Sequence, residues 1–398
     1  MIASRGFGKV FSQRLDWNQP ENALARLLAN QRAKGGEVLD LTLSNPTLAG
    51  LDYPFEEMTA ALAGSASARY EPSALGLASA RAAVAADYAR RASVVSPESI
   101  ILTASSSESY SLLFKLVADP GGVVLVPEPS YPLLEYLARL EGIVPRPYRL
   151  EYDGRWRIDF DNIDFRGAAA LCLVSPNNPT GSFVSRAELE SLDSLAARHG
   201  AILIADEVFA DYPCAPFPEA VLSCAGQNMQ ALTFCLGGLS KSCGMPQLKL
   251  GWIAVGGPAR AKAEALARLA LINDMILSVG TPVAQALPRL LEIGVAIRAR
   301  VAARIKANRE VLVKAVTPPC PCSTLPAEGG WSALLRVPEV MNDEAWALAL
   351  LGEDNVLVQP GYFFDLEIGA TLVLSLLTEP AVFEKGIRRI LARVGEMV

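Results

Sequence analysis

Seven short, largely apolar runs, most of them followed by a helix-like stretch and ending on a polar residue or a turn, constrain this chain more than any other feature. They cover residues 100–104, 123–126, 144–150, 168–174, 201–205, 231–236 and 250–255. A strand that is apolar along its whole length is buried on both faces, and crossover helices supply that cover. The runs therefore predict an α/β fold: a mostly parallel seven-stranded sheet between helix layers. After Pro288 the pattern changes. Helical stretches at 290–316 and 343–350 alternate with strand-like runs at 331–337, 356–358 and 371–377, which predicts a smaller α+β unit. The 398 residues exceed what one small core organises, so the expected division is a large unit at 46–288 and a small one at 289–398. Residues 1–45 complete the small unit. They hold an arm with Arg5, Lys9 and Arg14, a helix near 21–34 and a strand at 39–43 that Ser44-Asn45-Pro46-Thr47 breaks.

Charge and composition exclude several classes. Hydrophobic residues make up 51% and charged residues 20%, a globular balance. The net charge of -6 argues against nucleic acid or an anionic membrane as partner. The N-terminus lacks the apolar segment of a secretory signal, and no run reaches the roughly 18 residues a membrane helix needs. Cys172 and Cys235 read as small buried hydrophobes, Cys320-Pro-Cys322 as a structural loop with no second cluster to make a metal site, and a reducing cytoplasm as the expected home. His199 is the single histidine and ends a helix, so a Ser-His-Asp triad and a histidine metal centre are both disfavoured. No metal is expected.

In an open parallel sheet, ligands bind at the carboxyl ends of the strands. Those ends carry Ser105-Ser106-Ser107, Tyr131, Asn177-Asn178, Asp206 and Ser240-Lys241. Lys241 follows a buried strand and the Gly237-Gly238 pair. Desolvation there would lower its pKa and expose the amine lone pair that a Schiff-base lysine uses. Asp206 ends an apolar strand, where a carboxylate calls for a cationic partner. Ser105–Ser107 open a helix whose free N–H groups suit a phosphate, while Ser105 with Glu108 also makes a capping box; both can hold at once. Tyr131, between two prolines, is held stiffly enough to serve as a stacking plate.

The order Tyr70, Gly76, Arg81, Thr103–Glu108, Pro129-Ser130-Tyr131-Pro132, Ser175-Pro-Asn-Asn-Pro-Thr-Gly181, Asp206-Glu207-Val208, Ser240-Lys241 and Pro360-Gly361 resembles the class I/II aminotransferases, pyridoxal phosphate (PLP) enzymes of fold type I. The resemblance spans nearly the whole chain. It implies that Lys241 holds PLP and shuttles a proton between the substrate α-carbon and the cofactor. Asp206 would pair with the pyridinium nitrogen, Asn178 would donate to the phenolic oxygen, and Tyr131 would stack on the ring. Ser105, Ser106, Ser107 and Ser240 would hold the phosphate. Tyr70 would reach the phosphate of the other subunit, which implies a symmetric homodimer. Asn45 and Asn178 are the expected substrate contacts.

Three positions depart from the family pattern. Phe209 replaces a tyrosine that donates to the cofactor's phenolic oxygen. Lys249 replaces a phosphate-binding arginine, keeping the charge but losing the bidentate fork. Val373 stands where a late arginine clamps the substrate carboxylate. Either another cation takes over, Arg14 from the arm before Arg336, or the substrate is not a simple α-amino acid. Trp331, Tyr362 and Phe363 suit an apolar substrate side chain, or packing. The expected activity is amino-group transfer between an amino acid or amine and a keto acid. The alternative is a β-eliminating lyase or other α-carbon chemistry on the same scaffold. Tyr131 argues against the α-oxoamine synthase and decarboxylase branches, which usually stack a histidine on the ring.

Overall fold

The computed structural model describes residues 11–16, 22–214 and 217–398; Arg5, Lys9 and Glu21 lie outside the described residues. Helix α1 (Ala23–Ala33) starts where the Asn22 side chain accepts the Leu24 amide at 2.8 Å. Strand β1 (Leu39–Asp40) and helices α2 (Phe55–Leu62) and α3 (Ala78–Tyr88) follow. Strands and helices then alternate through β2 (Ile100–Thr103), α4 (Ser106–Val117), β3 (Val123–Glu128), α5 (Leu133–Leu140) and β4 (Val144–Tyr152). Next come β5 (Trp156–Ile158), β6 (Ala168–Val174), α6 (Arg186–His199) and β7 (Ile202–Asp206). The alternation closes with β8 (Thr233–Gly238), α7 (Leu239–Ser242) and β9 (Gly251–Gly256). Beyond them lie α8 (Ala259–Asp274), α9 (Thr281–Ala315), β10 (Ser323–Leu325), β11 (Ser332–Arg336) and α10 (Asp343–Asp354). The chain ends with β12 (Val356–Leu357), β13 (Gln359–Pro360), β14 (Thr371–Ser375) and α11 (Pro380–Met397).

The large sheet has the order β2-β9-β8-β7-β6-β3-β4-β5. From β8 to β4 every pairing is parallel; β9 and β5 run against their neighbours. The expected seven strands are present, and β5 adds an eighth at the edge, paired to β4 with Leu150 opposite Ile158. Only Trp156-Arg157-Ile158 marks it in the sequence, too short a run to show a period. The side chains of β2 and β8 are buried along their whole length, as strands covered on both faces must be. Helix α6 shows how local chemistry fixes an element. Ser185 and Glu188 form a capping box at its start, and Gly200 ends it at φ 66°.

A second, antiparallel sheet has the order β10-β11-β14-β13. The N-terminal segment meets the C-terminal part at a distance in sequence: β1 pairs parallel with β12 in a separate two-stranded sheet, and Gln31 donates to the Leu351 and Gly352 carbonyls at 3.1 and 2.9 Å.

Two helices depart from the sequence reading. The one expected to begin at 290 begins at Thr281 and runs 35 residues through Pro288, so the boundary at 288/289 falls inside α9. Proline normally breaks a helix. Here Val283, Ala284, Leu287, Leu290 and Leu291 are all buried, and that packing holds the helix across it. Helix α8 carries only a narrow buried stripe, Ala265, Leu269 and Asn273, and leaves little pattern in the sequence. Helix α9 also grips two loops. Arg298 donates to the Ser242 carbonyl at 3.2 Å, and Asn308 to the Leu376 and Thr378 carbonyls at 2.9 and 2.7 Å. One turn before Arg298, Gly294 presses against Cys243; a Cβ there would collide with the Cys243 sulfur.

Candidate active site

The carboxyl ends of β2, β6, β7 and β8 face a cavity of about 400 Å³ that the second sheet closes from the other side. Its wall includes Ser105, Ser106, Ser107, Tyr131, Asn178, Asp206, Phe209, Ser240, Lys241 and Lys249. Residues far apart in sequence meet because each follows a strand of one sheet.

At one end sits the start of α4. Ser105 caps it, its Oγ accepting the Glu108 amide at 3.1 Å. The expected reciprocal bond is displaced by one residue: the Glu108 carboxylate takes the Ala104 amide at 2.5 Å rather than that of Ser105, and also the Ser278 hydroxyl at 2.6 Å. Ser106 and Ser107, in the first turn, leave their amides and hydroxyls directed to no acceptor in the helix, and Ser240 and Lys249 border the same cavity. Lys249 is exposed and holds a left-handed φ of 49° just before β9. A helix N-terminus, hydroxyls and a lysine together suit an anion.

Lys241 lies in α7, directly after β8, where Gly237 and Gly238 bring the backbone against Trp252 and Leu250. Its carbonyl accepts the Tyr212 hydroxyl at 2.6 Å, which pins the turn. Its Nζ is 4.9 Å from the Trp331 ring centroid and 5.6 Å from that of Phe209. Burial pulls the Lys241 pKa below the usual lysine value, and the charge of Asp206 partly opposes this. Asp206 ends β7. Its Oδ1 accepts the Val208 amide at 3.1 Å and its Oδ2 the Tyr110 hydroxyl at 3.0 Å. Burial raises its pKa; the Val208 amide, the Tyr110 hydroxyl and Lys241 pull the other way.

Asn178 accepts the Ser332 hydroxyl on its Oδ1 at 3.2 Å, which leaves Nδ2 free to donate. Tyr131 is half exposed, its ring tilted 41° to Phe364 with centroids 6.3 Å apart. Phe209 packs edge-on to Trp331 at 5.1 Å. Val373 is buried in the wall, in an apolar cluster with Leu334 and Phe364.

Other expected site residues stand apart from this cavity. Asn45 spends its side-chain oxygen on Thr47, accepting the amide at 3.0 Å and the hydroxyl at 2.8 Å, and Thr42 and Ser44 line the cavity instead. Arg14 is exposed and borders no part of it. Arg336 turns to the Ile368 carbonyl, donating at 3.3 and 3.0 Å. Tyr70, 70% exposed, borders a separate shallow recess with Gly76 and Asn273. Of the aromatic candidates, Trp331 lines the cavity, whereas Tyr362 donates to Glu344 and Phe363, partly buried, packs against the core; the neighbouring Phe364 lines it. His199 ends α6 and stacks on Phe165. Among the described residues no three His, Cys, Asp or Glu side chains converge as metal ligands would. Tyr110, absent from the expected site residues, also lines the cavity; its signal in the sequence is its place on α4, one helical turn after Ser106 and Ser107 and therefore on their face.

Comparison with known proteins agrees with this geometry. The chain is 29% identical over 229 residues to nicotianamine aminotransferase 1 of Oryza sativa subsp. japonica, a match covering 56% of this chain and 46% of that protein. It thus matches about half the length of that relative. Against the alanine aminotransferase of Mycobacterium bovis it is 27% identical over 348 residues, 85% of this chain and 81% of that protein. A solved aminotransferase from Escherichia coli superposes with a TM-score of 0.82 at 21% identity, covering 97% of this chain and 98% of that one, a likeness of fold. Residues 36–390 match the pattern that defines the family described as Aminotransferase class I and II, and to that family the chain belongs.

Proposed function

We propose that this chain is a PLP-dependent aminotransferase. One observation carries the reading: Lys241, its pKa depressed by burial, shares a cavity with the Asp206 carboxylate, and the far end of that cavity is an open helix N-terminus lined with serines. The residues fit the cofactor. An amine, an acid and an anion cradle stand around about 400 Å³ of space. When bound, PLP supplies an aldehyde carbon that links to amines and a ring that draws off the electron pair left when the substrate's α-carbon loses its proton.

The chain's residues do the rest. Lys241 Nζ is the attachment point, its lone pair made available by desolvation, and it later carries the proton taken from the α-carbon. Asp206 would face the ring nitrogen of bound PLP and keep it protonated. Asn178 Nδ2 donates to the phenolic oxygen while Ser332 holds its Oδ1. Tyr131, backed by Phe364, covers one face of the ring. Ser106, Ser107, Ser240 and Lys249 hold the phosphate; Ser105 keeps the helix end in place and still has a hydroxyl proton to give. The substrate body rests against Leu133, Leu137, Phe364 and Val373, a wall that favours an apolar donor. Exposed Tyr70, with Leu271, Met275 and Ile276, supports a homodimer in which Tyr70 reaches the partner's phosphate. No described helix is long and apolar enough to cross a membrane. The free state of all seven cysteines supports a reducing, cytoplasmic setting.

Purified protein loaded with PLP and mixed with a panel of amino acids and carboxylate-free amines tests this. Conversion of the cofactor to pyridoxamine phosphate, reversed by a keto acid, is expected. Release of pyruvate and ammonia with the cofactor unchanged would instead mean a β-eliminating lyase. The donor that reacts settles what Val373 means. A response to α-amino acids requires another cation at the carboxylate; a response to amines alone means none is needed.

A further inference from the structure

Tyr110 lines the cavity next to Asp206. It sits in α4 with 3% of its surface exposed, its ring 5.7 Å from Phe114 and its body in an apolar cluster. A hydroxyl taken into such surroundings is costly unless it is bonded. This one is bonded to a single acceptor, Asp206 Oδ2, at 3.0 Å. The opposite oxygen takes the Val208 amide at 3.1 Å, so a backbone donor and a side-chain donor fix the plane of the carboxylate between them. Without one of them the carboxyl torsion, a broad two-fold one, is loosely held. Burial and the charge of Asp206 hold the Tyr110 phenol well above its usual pKa, so it faces Asp206 as a donor across the working pH range. Lys241 is the cation facing the same carboxylate.

The placement of Tyr110 on α4 adds a second relation. Ser106 and Ser107 precede it by four and three residues, on the same face and about 5 Å along the axis. One helix therefore presents the anion cradle at its end and, a turn later, the hydroxyl that aims Asp206. We propose that Tyr110 is a positioning residue that acts through Asp206, so that α4 sets both ends of the bound cofactor, the phosphate directly and the ring nitrogen through the Tyr110–Asp206 bond. This rests on the aminotransferase reading, which puts Asp206 against the ring nitrogen.

The test compares apoprotein and its Tyr110→Phe variant in binding three probes by equilibrium dialysis: PLP, its 1-deaza analogue with carbon in place of the ring nitrogen, and inorganic phosphate. The variant should bind PLP about tenfold more weakly, the size of one hydrogen bond to a charged group. Its affinities for the deaza analogue and for phosphate should stay within about twofold. Equal loss for PLP and the deaza analogue would make Tyr110 a packing residue only, and equal affinity for PLP in both proteins would make its bond irrelevant; either overturns the proposal. Tyr110→Met, which fills the same space without a hydroxyl, takes the place of the phenylalanine variant if that one does not fold. Wild-type protein that binds neither PLP nor its analogue would instead bring down the aminotransferase reading itself.

Discussion

Phe209→Tyr is the perturbation with the sharpest expected outcome. Phe209 is buried, lines the cavity, and packs edge-on to Trp331, with its ring centroid 5.6 Å from Lys241 Nζ. It also borders a small recess shared with Asn178 and Ser332, so a hydroxyl added here joins the groups proposed to act on the phenolic oxygen of the cofactor. With PLP attached to Lys241 as proposed, the linking nitrogen would share its proton with that oxygen. A new donor at the oxygen stabilises its negative charge, so the shared proton leaves more easily and the pKa of the linkage falls. A hydrogen bond to a charged oxygen contributes about 1.5–3 kcal/mol. At about 1.4 kcal/mol per unit, that is a drop of about one to two units. Spectral pH titration of the loaded wild type and variant measures it directly. An unchanged or raised pKa would refute both the role given to Phe209 and the placement of the phenolic oxygen beside it.

Lys241→Met tests the cost of burying the amine. Unfolded lysine titrates near 10.4, and burial lowers the folded value, so the wild-type apoprotein loses stability below the folded pKa and regains it as pH climbs between the two values. The variant should resist urea better than wild type at neutral pH, with the gap closing above about pH 10.4; a less stable variant at pH 7 contradicts the argument. Lys249→Ala should weaken phosphate-bearing cofactor by about tenfold in dialysis, with a smaller loss in high salt, and leave the binding of pyridoxal, which has no phosphate, unchanged. Ser185→Ala removes the α6 capping box and should cost about 1 kcal/mol in denaturant unfolding while sparing cofactor affinity.

What the sequence made legible followed from one rule, that ligands gather at strand ends. Ser106, Ser107, Asn178, Asp206 and Lys241 each sit one or a few residues past an apolar run, and all of them border the cavity. Residues reached by other routes stayed hidden. Tyr110 comes from inside a helix, Ser332 and Gln359 from the second sheet, and Thr42 and Ser44 from an irregular segment; in each case tertiary packing, not local pattern, brings the side chain in. Asn45 stands outside the cavity wall for a local reason, because an asparagine before a proline-led turn hydrogen-bonds its own backbone. Tyr362 and Phe363, which suited either substrate or packing, stand outside the cavity and Phe364 lines it, since a single turn of 3₁₀ helix at 361–364 decides which aromatic points inward. The helix expected from 290 begins nine residues earlier, at Thr281, because buried side chains on either side of Pro288 outweigh a single missing amide.

The two grips of α9 make the helix a fixed strut between the halves of the cavity. Arg298 holds the turn next to Lys241, and Asn308, ten residues or about 15 Å further along the helix, holds the loop that follows Val373 on β14. Both attachments lie beyond Pro288, so the bend that proline permits cannot separate them. The span from the amine to the apolar wall is thereby gauged by the helix that joins the two attachments. Enlarging the pocket for a bulkier donor is then a matter of trimming residues such as Leu133 or Leu137 on the opposite side, because the wall that carries Val373 has nowhere to retreat.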